Sequence, residues 1–235
     1  MLTDKHVSLH EQEDHWIPLS DLMTGLMMFF MLLAVAFMVK VEADSERIKR
    51  VAILYDQLRS DLYNDLDAEF RKDLGRWGAE LDADLTVRFK EPDVLFDIGS
   101  ATLKPKFIGI LNDFFPRYVS ILSSDKYRNS ITEIRVEGHT SSTWGQSTAT
   151  EDAYFKNMDL SQSRTRSTLQ YILQLPQVRT EQSWLRLYLT ANGLSSSKLI
   201  TGPDGKENPA RSQRVEFKIR TDADARIATI LEVAR

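Results

Sequence analysis

Eighteen consecutive residues, Leu22 to Val39 (LMTGLMMFFMLLAVAFMV), carry no charge and a single polar side chain, Thr24. A run of this length suits a bilayer better than a globular core. Extended back over Trp16, Ile17, Pro18 and Leu19, the block holds about 23 residues, or ~34 Å of helix, long enough to span with some tilt. A cleaved leader needs a basic start, a shorter apolar core and a small-residue cleavage site. Here the start is acidic (Asp4, Glu11, Glu13 and Asp14 against Lys5), and the run ends in Phe37-Met38-Val39-Lys40. The sequence thus predicts a tail over 1–15 and a retained single transmembrane helix over 16–40. Lys and Arg number one before the run and five from Lys40 to Arg59. By the positive-inside rule the C-terminal side would then be cytoplasmic.

Asp21 is the most informative residue of this block. One reading makes it an N-cap at the water interface, since Asp caps helices well. Against that, Pro18 favours a helix start before Asp21, and Trp16 is a natural interfacial anchor. Asp21 would then lie about a turn inside the apolar layer, where a carboxylate is costly and is usually kept for ion or proton handling.

The remaining composition excludes several function classes. Over 235 residues, 30 basic and 34 acidic side chains give a net charge of −4, so no direct nucleic-acid partner is expected. The absence of Cys removes disulfides, thiolate metal sites and a thiol nucleophile. Three of the four histidines (His6, His10, His15) precede the apolar run, so neither a metal site nor a cofactor is expected.

Beyond Lys40 the pattern becomes amphipathic. Ile48, Val51, Tyr55, Leu58, Leu62, Leu66, Phe70 and Leu74 recur at helical spacing, with no Gly or Pro from Val41 to Leu74. So narrow a stripe fits a coiled-coil seam, which makes 41–79 a helical dimerisation linker; packing of the same helix onto its own domain is the alternative. Strands are expected at Leu85–Phe89, Val94–Phe96, Ile134–Gly138 and Val215–Ile219. Helices are expected from Pro105 to Leu122, from Leu160 with Asp159 and Gln162 as a capping box, and from Ser183 to Asn192. Residues 194–213 read as loop, and 221–235 as a C-terminal tail helix. The alternation predicts an α/β sandwich over 80–220.

Four strings within this domain resemble the motifs of OmpA-like peptidoglycan-binding domains. They are Val94-Leu95-Phe96-Asp97-Ile98-Gly99-Ser100-Ala101-Thr102-Leu103, the strand end Val136-Glu137-Gly138-His139-Thr140, Asn157-Met158-Asp159-Leu160-Ser161 with Arg164, and Asn208-Pro209 with Arg211 and Arg214-Val215-Glu216. A single span bearing an aspartate, a helical linker and such a domain together resemble MotB-like stator subunits. Pro18-Leu19-Ser20-Asp21-Leu22-Met23 and Gly138-His139-Thr140-Ser141-Ser142 are most similar to the ZorB family of the Zorya anti-phage defence system.

The resemblance implies a bacterial inner-membrane protein with a cytoplasmic N-terminus and a periplasmic C-terminal domain, against the charge count. It implies a homodimer inside a MotA-like (ZorA-type) ring of five subunits, with Asp21 as the ion-carrying carboxylate, the ion being a proton or sodium. It assigns peptidoglycan binding to Thr140, Ser141, Asn157, Arg164 and Arg214. One departure stands out, because the family pattern has Asp where this chain has Ser141; a ligand ammonium would lose its counter-charge there, while Arg164 could still grip a carboxylate. The other readings are a flagellar-type stator subunit and a passive wall tether without an ion path. No enzyme is expected, since Glu91, Asp93 and Asp97 lack a nucleophile–base pair or histidine partner.

Overall fold

The computed structural model describes residues 16–90, 95–145 and 150–222 and divides the chain into two units, 1–51 and 52–235. Helix α1 (Trp16–Trp77) belongs to both. In the first unit its stretch Ser20–Glu46 is long and apolar enough to cross a membrane, and none of the apolar window is buried. Asp21 is an exposed residue in the second turn of α1, not a cap at its start.

In the second unit the same helix is a core element. Leu62, Leu66 and Phe70, at four-residue spacing, are fully buried, and Leu58 and Leu74 pack at the edge of the same cluster. The reading of 41–79 as a linker outside the domain is corrected here. The apolar stripe from Leu58 onward is covered by the chain's own fold, with the domain entered inside α1 and not at residue 80. Arg117 fixes this arrangement: it contacts Glu69 (2.7 Å) and Asp73 (2.9 Å) of α1, and its guanidinium lies 5.1 Å from the Phe70 ring centre. Gly78, in the left-handed conformation (φ 64°), turns the chain out of the helix.

The following elements are β1 (Ala79–Leu81), β2 (Thr86–Phe89), α2 (Pro105–Leu122), β3 (Ile131–His139), α3 (Thr150–Leu173), a 3-10 turn (Pro176–Glu181), α4 (Gln182–Tyr188), β4 (Leu189–Gly193), α5 (Pro209–Ser212) and β5 (Arg214–Thr221). They build a five-stranded sheet in the order β1-β2-β5-β3-β4, with β3 and β4 parallel and the other pairs antiparallel. The core is aromatic. Phe114 of α2 lies 5.2 Å from Phe70, 5.3 Å from Phe89 and 5.2 Å from Phe217, ring centre to ring centre, joining α1, α2 and the sheet.

Three local expectations are corrected. The helix expected from Leu160 begins at Thr150, with Glu151 and Asp152 in its first turn, so Asp159 is mid-helix. The helix expected over Ser183–Asn192 stops at Tyr188 and gives way to β4, a strand that pairs with β3. Leu85 is not part of a strand: its φ of 66° places it in the β1–β2 turn, with its side chain buried. Val94, Glu91, Asp93 and residues 223–235 of the expected tail helix fall outside the described residues, while Thr221 ends β5.

Candidate functional site

Two glycines set the distance between α3 and the sheet. A Cβ on Gly193 would stand 2.3 Å from the Gln162 amide nitrogen, and one on Gly138 would stand 2.7 Å from Thr165 Cγ2. Only glycine allows so close an approach, which brings the α3 face bearing Asn157, Leu160 and Arg164 beside the end of β3. The spacing of three and four residues places those three side chains on one helix face. With Thr140 and Ser141 they line a cleft of about 340 Å³, whose apolar walls include Phe96, Ile98 and Trp144.

Arg164 is 8% exposed. Its Nε donates to the Ser100 carbonyl (2.9 Å) and its Nη2 to the Asp97 carbonyl (3.1 Å), while the guanidinium sits 4.9 Å from the Phe96 ring centre. Burial pushes its pKa below the ordinary arginine value, yet no acidic side chain pairs with it among the described residues. Asn157 is occupied otherwise: its Nδ2 donates to the carbonyls of Ser141 (3.1 Å) and Thr143 (3.2 Å), so it shapes the loop that carries Ser141. The Thr140 hydroxyl is buried and has no hydrogen-bond partner among the described residues. From the other side, Ser142 donates its N–H (3.0 Å) and its hydroxyl to the Glu207 carboxylate, fixing the same loop. The cleft can therefore offer a guanidinium and small hydroxyls to an anion.

Arg214 does not line this cleft. Its Nε donates to Glu216 Oε1 (2.6 Å) and its Nη1 to the carbonyls of Lys198 (3.1 Å) and Ser212 (2.8 Å). It belongs to a charged layer on the sheet face opposite the aromatic core, where Arg88 contacts Glu216 (2.7 Å), Glu80 (2.7 Å) and Asp82 (2.7 Å). Burial raises the Glu216 carboxyl, but contacts from His139, Arg88 and Arg214 outweigh it and hold the group far below the carboxylate range. Glu137, His139 and Glu216 offer three ligand atoms within 4.8 Å of one another, a cluster that no sequence spacing revealed. Arg88, Arg214, Arg135 and Lys218 already supply the cations there, so the cluster is an ion-pair network.

In the first unit, Asp21 follows Ser20 and precedes Thr24, whose hydroxyl donates to the Ser20 carbonyl (2.8 Å). These three polar residues share one side of an otherwise apolar stretch. Sequence reasoning missed Ile98, Thr143, Trp144 and Gln213 as lining residues. The usable signal was an isoleucine before a glycine and a tryptophan in a Ser/Thr-rich loop, apolar side chains where a loop should be polar.

No protein-family model matches the chain. It is 49% identical over 223 residues to the Zorya protein ZorB of Escherichia coli strain Crooks, and the match covers 94% of each chain. Among solved structures, a MotB-like protein from Desulfovibrio vulgaris shares the fold: 22% identity, 72% of this chain, 98% of that one, and a TM-score of 0.52. The cell wall anchor of a type VI secretion system from Pseudomonas aeruginosa matches over 66% of this chain and 96% of its own, at 21% identity and a TM-score of 0.45.

Proposed function

The chain belongs to the family of the Zorya protein ZorB, and from that premise we propose that it is the wall-anchored, ion-conducting stator subunit of a Zorya-type anti-phage system. The carrying observation is Asp21, a carboxylate in the second turn of an apolar helix, where a capping role is excluded by position. A carboxylate in a low-dielectric layer changes its interaction with its surroundings sharply on protonation. Two copies of α1 inside a MotA-like ring of five subunits would present Asp21 to the ring, and alternate charging and neutralisation would drive relative rotation. The folded domain lies in the periplasm of this inner-membrane protein and holds peptidoglycan through Arg164, with Thr140 and Ser141 as neutral hydrogen-bonding groups. Asn157 positions the Ser141 loop, and Arg214 locks β5 beside the cleft. Wall attachment keeps the dimer still while the ring moves.

The test is Asp21→Asn in cells that also express the ring partner. Asn preserves helix geometry but cannot exchange a proton, so complex yield should be unchanged and phage protection lost. A variant that assembles and protects fully would leave only a passive tether.

A further inference from the structure

Arg164 supplies the one charged side chain of the cleft among its described lining residues. Two described acids nearby, Asp97 and Glu207, are turned elsewhere. Asp97 gives only its backbone carbonyl to Arg164, and its carboxylate lies 3.5 Å from Lys104 Nζ. Glu207 spends both carboxylate oxygens on Ser142, which is not a lining residue. Asn157 presents its amide nitrogen to two backbone carbonyls. The hydroxyl of Thr140, 3% exposed and without a hydrogen-bond partner among the described residues, and the hydroxyl of Ser141, 3.3 Å from that of Thr143, are neutral polar groups of the site. A buried guanidinium beside a free hydroxyl donor matches a carboxylate. No described lining residue carries a negative charge, so an ammonium would find only neutral acceptors, close to a like charge. Phe96, Ile98 and Trp144 form apolar walls, and Ile98 is 94% exposed at the rim.

We propose that the cleft selects a carboxylate with no free ammonium beside it, its flanking group being an acyl amide or a hydrocarbon laid against Ile98 and Trp144. This rests on the wall-anchor reading and narrows it: the ligand in peptidoglycan is a peptide carboxylate whose neighbouring nitrogen is acylated, and not a zwitterionic amino-acid end.

The full chain in detergent is sedimented with native sacculi, with sacculi whose amines are acetylated, and with sacculi whose carboxylates are amidated. Acetylation should leave binding unchanged, and amidation should weaken it by about tenfold or more, the size of a lost charge-assisted pair. Ser141→Asp, which places a carboxylate in the cleft, should make binding sensitive to acetylation. In parallel, N-acetyl-D-alanine, D-alanine and N-acetyl-D-alaninamide are compared by ligand-detected NMR, with Arg164→Ala as control. Only the first should bind, and only with Arg164 present. Weakened binding of the unaltered chain to acetylated sacculi, or equal response to D-alanine, overturns the selectivity; silence toward N-acetyl-D-alanine overturns the carboxylate site. Failure on native sacculi with the small-molecule pattern intact sinks the wall-anchor reading alone.

Discussion

Glu216 is a glutamate 1% exposed on a sheet strand, tolerable only because Arg88 and Arg214 meet it at 2.7 and 2.6 Å. Its folded pKa lies below the unfolded value, so the carboxylate stabilises the fold at pH values above the ordinary carboxylate pKa. That contribution falls away as pH drops through the acid range toward the folded pKa. Glu216→Gln should therefore cost about 3 kcal/mol at neutral pH, by leaving the buried Arg214 guanidinium without its carboxylate and removing one of the three carboxylates around the part-buried Arg88. It should also flatten the loss of stability below about pH 4.5. Urea melts of the two proteins at pH 7 and pH 4 measure both effects, and equal differences at both pH values would refute the assignment. Arg164 behaves differently, because its partners are carbonyls. Arg164→Ala should abolish wall binding, and Arg164→Lys should restore little of it, since an ammonium cannot reach the Ser100 and Asp97 carbonyls with a planar fork and still face the cleft. Sedimentation with sacculi decides this. Arg164, Asn157 and Thr140 were legible in the sequence only through motif strings. The ion-pair layer was not, because Arg88, Glu137 and Glu216 come from three strands whose order no local pattern encodes.

At the scale of elements, α1 shows how one periodic stripe serves two environments. The spacing of Ile48 to Leu74 is uniform, and periodicity alone cannot say whether a helix face meets a second copy or its own domain. The answer lies in the partners: Phe114, Arg117 and Tyr127 meet the stretch from Asp65 to Trp77. Leu62→Asp should thus unfold the domain instead of merely separating two copies. Leu62→Ala should cost about 2–5 kcal/mol, as for other fully buried leucines. A fragment beginning at residue 80 lacks Leu62, Leu66, Phe70 and Trp77 and should be a poorly folded protein, whereas one beginning at 52 should melt cooperatively. Near-UV circular dichroism separates the two, and a cooperative transition in the shorter fragment would contradict the core assignment. The same limit explains α3. Asp159 followed by Gln162 satisfies a capping pattern locally, but Glu151 and Asp152 start the helix nine residues earlier, and the approach of Gly193 to Gln162 holds it there. Strand β4 was hidden because Leu189–Gly193 is short and follows directly on α4, and it forms only by pairing with β3.

For the whole molecule, a stator needs its ion-bearing helix in the membrane and its wall-binding domain on the far side. Sidedness is therefore the property on which the proposed function rests most heavily. The five Lys and Arg residues from Lys40 to Arg59 argue for a cytoplasmic C-terminal side. In the structure Arg59 already belongs to the folded unit, where it donates to the Ala83 carbonyl (3.1 Å). Long folded domains cross membranes largely regardless of charge, so the count near the helix carries less weight than its size suggests. The expectation is a periplasmic domain. The chain has no cysteine, so one introduced thiol reports without background. Ser183→Cys is nearly isosteric and lies at an exposed position of α4. In cells with a permeabilised outer membrane and an intact inner membrane, an impermeant maleimide should label Ser183→Cys fully, and a thiol placed at Thr3 only after lysis. Labelling in the reverse order would put the domain in the cytoplasm, where there is no wall to hold, and the stator reading would fail with it.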